Sequence, residues 1–162
     1  MSSSATLSVR EARATDAAAA IEVVRDSITN LCVADHRNEA NLLTAWLENK
    51  TVENFRNWIG SSENYCVVVE APVVCGVALL HRSGEIRLLY VSPTKQRQGV
   101  GRALLDRLET QARLWGLTRL HLSSTAAARP FYRSVGYRER DESGTWRGIV
   151  CYKYDRSIDP VT

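Results

Sequence analysis

The segment Val91-Ser92-Pro93-Thr94-Lys95-Gln96-Arg97-Gln98-Gly99-Val100-Gly101-Arg102-Ala103-Leu104-Leu105 passes from a strand through a basic loop into a helix. A β-rich run ends at Val91, glycines follow at 99 and 101, and apolar residues then recur at Val100, Leu104, Leu108, Ala112 and Trp115. That spacing predicts a long helix that opens at the glycines and closes at Gly116. Backbone N–H groups at a helix start have no partner within the helix, and the helix dipole adds partial positive charge there. Glycines remove the side chains that would obstruct a close approach, so the arrangement suits a phosphate. It is not a Walker loop, because Arg102 and Ala103 follow Gly101 in place of Lys and Ser or Thr. It is not a dinucleotide fingerprint either, because Leu104 stands where a third small residue is needed.

Upstream, Tyr65 to Glu70 and Val74 to His81 read as strands joined tightly through Ala71-Pro72-Val73. Glu85 to Val91 follows as a third strand after a turn at Ser83-Gly84. Nearer the start, Thr6 to Glu11 predicts a short strand and Thr15 an N-cap. Ala17, Ile21, Val24, Ile28 and Leu31 then step at the period of one helix face. Further helices are expected around Leu42, Leu43, Trp46 and Leu47, and, capped by Thr51, around Val52, Phe55, Trp58 and Ile59. Downstream, Leu117 to Leu122 is a strand and Ala126 to Val135 a short helix capped by Gly136. Tyr137 to Arg140 and Gly148 to Tyr154 form a closing pair of strands. No repeat or linker interrupts this order. The expectation is one α/β domain over residues 1–162 with a mostly antiparallel sheet.

The 162 residues suit one domain, and 44% hydrophobic with 24% charged residues excludes a disordered tail, a collagen-like fibre and a bare coiled coil. Lys and Arg number 21 against 18 Asp and Glu, a net charge of +3, which argues against a dedicated nucleic-acid binder. The charge is unevenly spread: Lys95 to Arg140 holds ten bases and three acids, residues 1–94 eight bases and eleven acids. A basic stretch suits a polyanion, and an acidic one a cationic acceptor. Cys32, Cys66, Cys75 and Cys151 form no CxxC pair, so neither a metal site nor a redox motif is expected. The start, Met1 to Ser4, does not resemble a signal peptide. The apolar run from Cys66 to Leu80 is broken by Glu70, Pro72 and Gly76 and does not read as a membrane span. A cytoplasmic protein is expected, with the Asn49-Lys50-Thr51 sequon a chance match.

Gln96-Arg97-Gln98-Gly99-Val100-Gly101 resembles the Gln/Arg-x-x-Gly-x-Gly/Ala signature of the GNAT acetyltransferase superfamily, with the usual Val-x-Pro ahead of it at Val91 and Pro93. Ala128-Arg129-Pro130-Phe131-Tyr132, then Gly136-Tyr137, is similar to the family's second landmark. The resemblance is good over roughly residues 65 to 155 and covers the N-terminal helices in outline. It implies an α+β GNAT fold: a single central, mostly antiparallel mixed sheet of about six to seven strands flanked by about four helices, with a splayed strand pair that holds acetyl-CoA. It implies acetyl-CoA as co-substrate, no metal, and transfer to an amine of a small molecule or protein by a monomer or homodimer. The backbone of Arg97, Gln98, Gly99, Val100, Gly101 and Arg102 would hold the pyrophosphate, with Gln96 also on the cofactor, and Leu89, Tyr90 and Val91 would line the pantetheine arm and the thioester. A backbone N–H beside a bulge there would stabilise the oxyanion. Arg129 would contact the cofactor, as would Thr125, where many members carry Asn instead.

Direct transfer needs a neutral amine, although a lysine-like amine has an ordinary pKa of about 10.4. Tyr132 occupies the position of the family's phenolic general acid, and a core aromatic is the competing reading. Glu85 lies six residues before Val91, the spacing of a glutamate base in the histone-modifying branch. A water chain, or a solvated turn residue, is the alternative. Asp35 and His36 lie between the first two helices, where a carboxylate can bind an ammonium group and a histidine can relay a proton. A polar inter-helix loop accounts for them more simply. A rival from a different class is a non-catalytic acyl-CoA-binding sensor or interaction module on the same fold.

Overall fold

Cys66–Val69 and Cys75–Leu80 are buried along their whole length, as strands covered on both faces must be. The computed structural model describes residues 7–161. Thr6 and the Met1 to Ser4 start therefore lie outside the described residues. In chain order the elements are β1 (Val9–Glu11), α1 (Ala17–Leu31), α2 (Val33–His36), α3 (Ala40–Leu47), α4 (Val52–Gly60), β2 (Asn64–Glu70), β3 (Val74–His81) and β4 (Ile86–Val91). Then come α5 (Val100–Leu114), β5 (Arg119–Ser124), α6 (Arg129–Ser134), β6 (Arg138–Trp146) and β7 (Ile149–Ser157).

The sheet is a middle layer. Val67, Val69, Ala78 and Leu80 meet the α5 face made by Val100, Leu104, Leu105, Leu108 and Ala112. Their neighbours Cys66, Val68, Val77 and Leu79 turn the other way, onto Ala20, Ile21, Val24 and Ile28 of α1 and Phe55 of α4. This is the alternation of a strand's side chains, used twice. Gly76 sets how close α5 comes: a Cβ there would lie 2.6 Å from Val100 Cγ1. Only glycine lets the first turn of α5 rest on β3.

Among the described residues seven strands are present, within the expected six to seven, in two antiparallel halves ordered β1-β2-β3-β4 and β5-β7-β6. One parallel bridge, Glu85 to His121, joins the halves. Beyond it β4 and β5 part, which is the expected splayed pair. The four longer helices flank the sheet.

Local details differ in places from the sequence expectation. Thr15 does not cap α1. It lies in a 3-10 turn, Ala14–Asp16, whose Asp16 carboxylate accepts the Arg13 N–H at 2.7 Å. Asp16 also pairs with Arg10 at 2.9 Å, and that guanidinium holds its carboxyl below the usual range. Thr51 does cap α4, accepting from the Asn54 N–H at 3.1 Å. The closing hairpin reaches Trp146 and Ser157, further than its sequence pattern indicates, because β6 is an exposed edge strand with little apolar alternation.

Candidate active site

Arg97 and Gly99 both adopt left-handed backbone, at φ 61° and 83°, and bend the basic loop into the start of α5. The first intrahelical bond runs from the Ala103 N–H to the Gly99 carbonyl at 3.0 Å. The N–H groups of Val100, Gly101 and Arg102 precede it, so the helix itself leaves them unpaired. They open on a cleft of about 610 Å³, which Lys95, Arg97 and Arg102 also line. Among the described residues none of these three cations pairs with a carboxylate. A Cβ on Gly101 would come within 3.4 Å of the Phe131 ring, so this wall admits little more than backbone. Gln96, Arg97, Gly99, Val100, Gly101 and Arg102 all line the cleft. Gln98 does not; its amide turns back to the Thr94 carbonyl at 3.5 Å.

The cleft runs from this cationic end to the gap between β4 and β5. The Ser92 N–H donates to the Cys75 carbonyl at 2.8 Å, which makes Cys75 and Ser92 a hydrogen-bonded antiparallel pair. With Gly76 opposite Val91 and Val77 opposite Tyr90, hydrogen-bonded pairs alternate along the ladder. The N–H groups of Leu89 and Val91 therefore point away from β3, into the gap. A bulge at Arg87 shifts the register, Leu79 facing Leu88 while Leu80 faces Ile86. Leu89, Tyr90 and Val91 line the cleft.

Tyr132, on α6, closes this end. Its side chain is 5% exposed and packs edge-on against Phe131 and Tyr137, with ring centroids 5.2 and 5.8 Å away. Burial pushes its phenol well above the ordinary 10, so it keeps its proton. Thr125 lines the same junction, and its hydroxyl oxygen accepts the Ala128 N–H at 3.1 Å.

Three expected contacts are corrected. Both oxygens of Asp35 are taken by backbone, accepting the N–H of Ala126 at 2.6 Å and of Ala127 at 3.2 Å. His36 is fully buried: its Nδ1 accepts the Asn38 N–H at 3.0 Å while its Nε2 sits 3.0 Å from the Ile28 carbonyl. These two residues brace α1 and α2 against the turn before α6, and neither lines a cleft. Arg129 makes a two-pronged ion pair with Glu139, at 2.8 and 3.0 Å, and lies over the Tyr152 ring at 3.9 Å. It too is absent from the cleft wall.

A second groove of about 450 Å³ meets the first at Ile86, Arg87, Tyr90, Ser123 and Thr125. Glu85 lines it, with its carboxylate held by Arg87 at 2.6 Å. Its other walls were not anticipated: Trp46 on α3, Lys50 just after it, Trp58 on α4, and Trp146 and Lys153 of the closing hairpin. Lys50 is 6% exposed; its ammonium donates to Asn49 Oδ1 at 2.6 Å and lies 4.7 Å from the Trp146 ring. Lys153 donates to Ser123 Oγ at 2.7 Å. The acidic balance of residues 1–94 is thus not concentrated here, since Glu85 is the one carboxylate of this lining and is already paired. Lys95, missed on the cofactor side, stood in plain view inside the basic loop.

Cys32 lines the first cleft, but burial pushes its thiol up to about 12, so it carries no thiolate at neutral pH. Among the described residues no cluster of three or more His, Cys, Asp or Glu could hold a metal ion. No helix among them is long and apolar enough to cross a membrane.

Residues 32–158 match a family model described as an acetyltransferase (GNAT) domain. The sequence is 32% identical over 80 residues to an IAA acetyltransferase of Azospirillum brasilense, covering 46% of this chain and 52% of that protein. The chain thus spans about half the length of this curated relative. Among solved structures, a GCN5-related N-acetyltransferase from Rhodopseudomonas palustris superposes with a TM-score of 0.84 at 24% identity, over 95% of this chain and 97% of that one. The PaiA N-acetyltransferase of Thermoplasma acidophilum, solved with coenzyme A, gives 0.82 at 19% identity, over 95% and 100%. YncA of Salmonella typhimurium, solved with acetyl-CoA, gives 0.72 at 21%, over 98% and 97%. At such identities these structures speak for the fold alone.

Proposed function

The chain belongs to the GNAT acetyltransferase family, and from that premise we propose that it moves an acetyl group from acetyl-CoA to a primary amine by direct attack in a ternary complex. The observation that carries this reading is the meeting of two clefts at the β4–β5 opening, beside a phenol that keeps its proton. The residues present fit acetyl-CoA: free N–H groups and three unpaired cations at one end, then a channel whose one further charge, Arg87, is neutralised by Glu85. Acetyl-CoA supplies a thioester there, so that a C–N bond forms, the C–S bond breaks, and one proton passes overall from nitrogen to sulfur.

The chain's own residues divide the work. Lys95, Arg97, Arg102 and the first N–H groups of α5 hold the pyrophosphate. Leu89, Tyr90 and Val91 align the neutral arm, and the inward N–H of Leu89 or Val91 donates to the acetyl carbonyl as charge develops on its oxygen. Such a preoriented donor contributes about 3 kcal/mol. Tyr132 gives its proton to the departing sulfur. Glu85, on the acceptor side, takes the proton from the amine through water, with Arg87 fixing its carboxylate. Burial pushes the free thiols of Cys32 and Cys151 up and disfavours their thiolates, which fits transfer without an acyl-enzyme. Four free cysteines also suit a cytoplasmic setting.

The test is thiol release from acetyl-CoA, followed with a disulfide reagent across a panel of amines. Release that depends on an amine is the expected outcome. Tight acetyl-CoA binding with no release on any amine would establish the sensor instead.

A further inference from the structure

Two of the three cations lining the second groove have no counter-charge. Arg87 is neutralised by Glu85, whereas Lys50 and Lys153 pair with no carboxylate among the described residues. The Lys50 ammonium is nearly sealed from water and satisfied only by one amide oxygen and one indole face. A sealed charge without a partner opposes folding, so its place in a groove wall calls for an anion brought by a ligand. Around it stand three of the chain's four tryptophans, Trp46, Trp58 and Trp146, drawn from segments almost a hundred residues apart. Flat apolar walls with one charged group are the make-up of a site for a small ligand with an apolar body.

Resting on the acetyl-transfer reading above, we propose that the acceptor is a primary amine that also bears a carboxylate on an aromatic body, with the carboxylate at Lys50 and the body among Trp46, Trp58 and Trp146. The amine then faces Glu85 and the β4–β5 opening, where the two clefts join. A polyamine is the wrong partner. Each like charge brought within about 4 Å of these lysines costs on the order of 4 kcal/mol at a partly buried site. Burial and the nearby Arg147 lower the Lys50 pKa to about 8, so the ammonium is mostly charged at pH 7 and a bound carboxylate would favour that form further.

The experiment compares kcat/KM for matched pairs that differ only in the carboxylate: L-tryptophan with tryptamine, L-phenylalanine with phenethylamine, and para-(aminomethyl)benzoate with benzylamine, with spermidine as polycation. At least one carboxylate-bearing member should exceed its partner by about tenfold or more, the scale of one charge-assisted contact. In Lys50→Gln that ratio should fall towards one. Ratios near one in the wild type, or preference for spermidine, would overturn the proposal while leaving acetyl transfer intact. A ratio unchanged in a folded Lys50→Gln protein would overturn the assignment to Lys50. Acetyl-CoA bound but acetylating none of the seven amines would instead count against the transferase reading itself.

Discussion

The proposed roles of Tyr132 and Gly101 are separable by experiment. The phenol is 5% exposed and raised by burial, so at neutral pH it is a proton donor and never a phenolate. Tyr132→Phe keeps the ring packing and removes the proton. It should cut kcat by about a hundredfold or more while leaving acetyl-CoA affinity within about twofold, measured by steady-state kinetics beside calorimetry. Gly101 should show the reverse split. A Cβ there would sit 3.4 Å from the Phe131 ring and 3.7 Å from Val91, so the methyl groups of Gly101→Val crowd the wall behind the proposed pyrophosphate contact. Affinity for acetyl-CoA should drop by about tenfold or more, with some loss of thermal stability because the Phe131 ring must give way.

The elements explain which of these parts were legible in the chain. The loop, its glycines and α5 behind them lie in one contiguous stretch, so the sequence pattern shows this turn into a helix directly. The strands β4 and β5 each carry a local apolar pattern, although α5 separates them in the chain. The second groove, proposed for the acceptor, is assembled from α3, α4, their connection and the β6–β7 hairpin, and no local pattern joins Trp46 and Lys50 to Trp146. On a helix, Trp46 and Trp58 look like ordinary core positions. Asp35 shows the opposite error: a carboxylate in an inter-helix loop looks like an ammonium site, but N–H groups ninety residues later absorb both its oxygens. Arg129 likewise looked like a cofactor ligand until Glu139 claimed it. Asp35→Ala would leave the Ala126 and Ala127 N–H groups without that acceptor. The cost should be about 1–2 kcal/mol, as for a lost helix cap. Urea unfolding reads the loss, and KM for the amine should barely move if Asp35 braces the turn rather than binding the acceptor.

Across the whole molecule, the mild net charge of +3 includes cations in two adjoining clefts that pair with no carboxylate among the described residues, one cleft proposed for each substrate. This arrangement lowers stability. The Lys50 pKa of about 8 in the folded protein lies below its ordinary 10.5, so the unfolded chain binds the proton more tightly. The ammonium therefore opposes folding in full below pH 8, and the opposition fades as pH rises from 8 to 10.5. Lys50→Met should gain about 2 kcal/mol at pH 7, with the gain shrinking towards pH 10, measured by denaturant unfolding at both values. A residue whose removal stabilises the fold is what a functional site leaves behind. The central claim is direct passage of the acetyl group from acetyl-CoA to an amine. It is tested most directly by mass spectrometry of a reaction with isotopically labelled acetyl-CoA, reading the small-molecule fraction and the intact protein together. Direct transfer puts label on the amine and none on the protein at any time; label on a protein side chain during turnover, or label that never leaves bound acetyl-CoA, would rule it out.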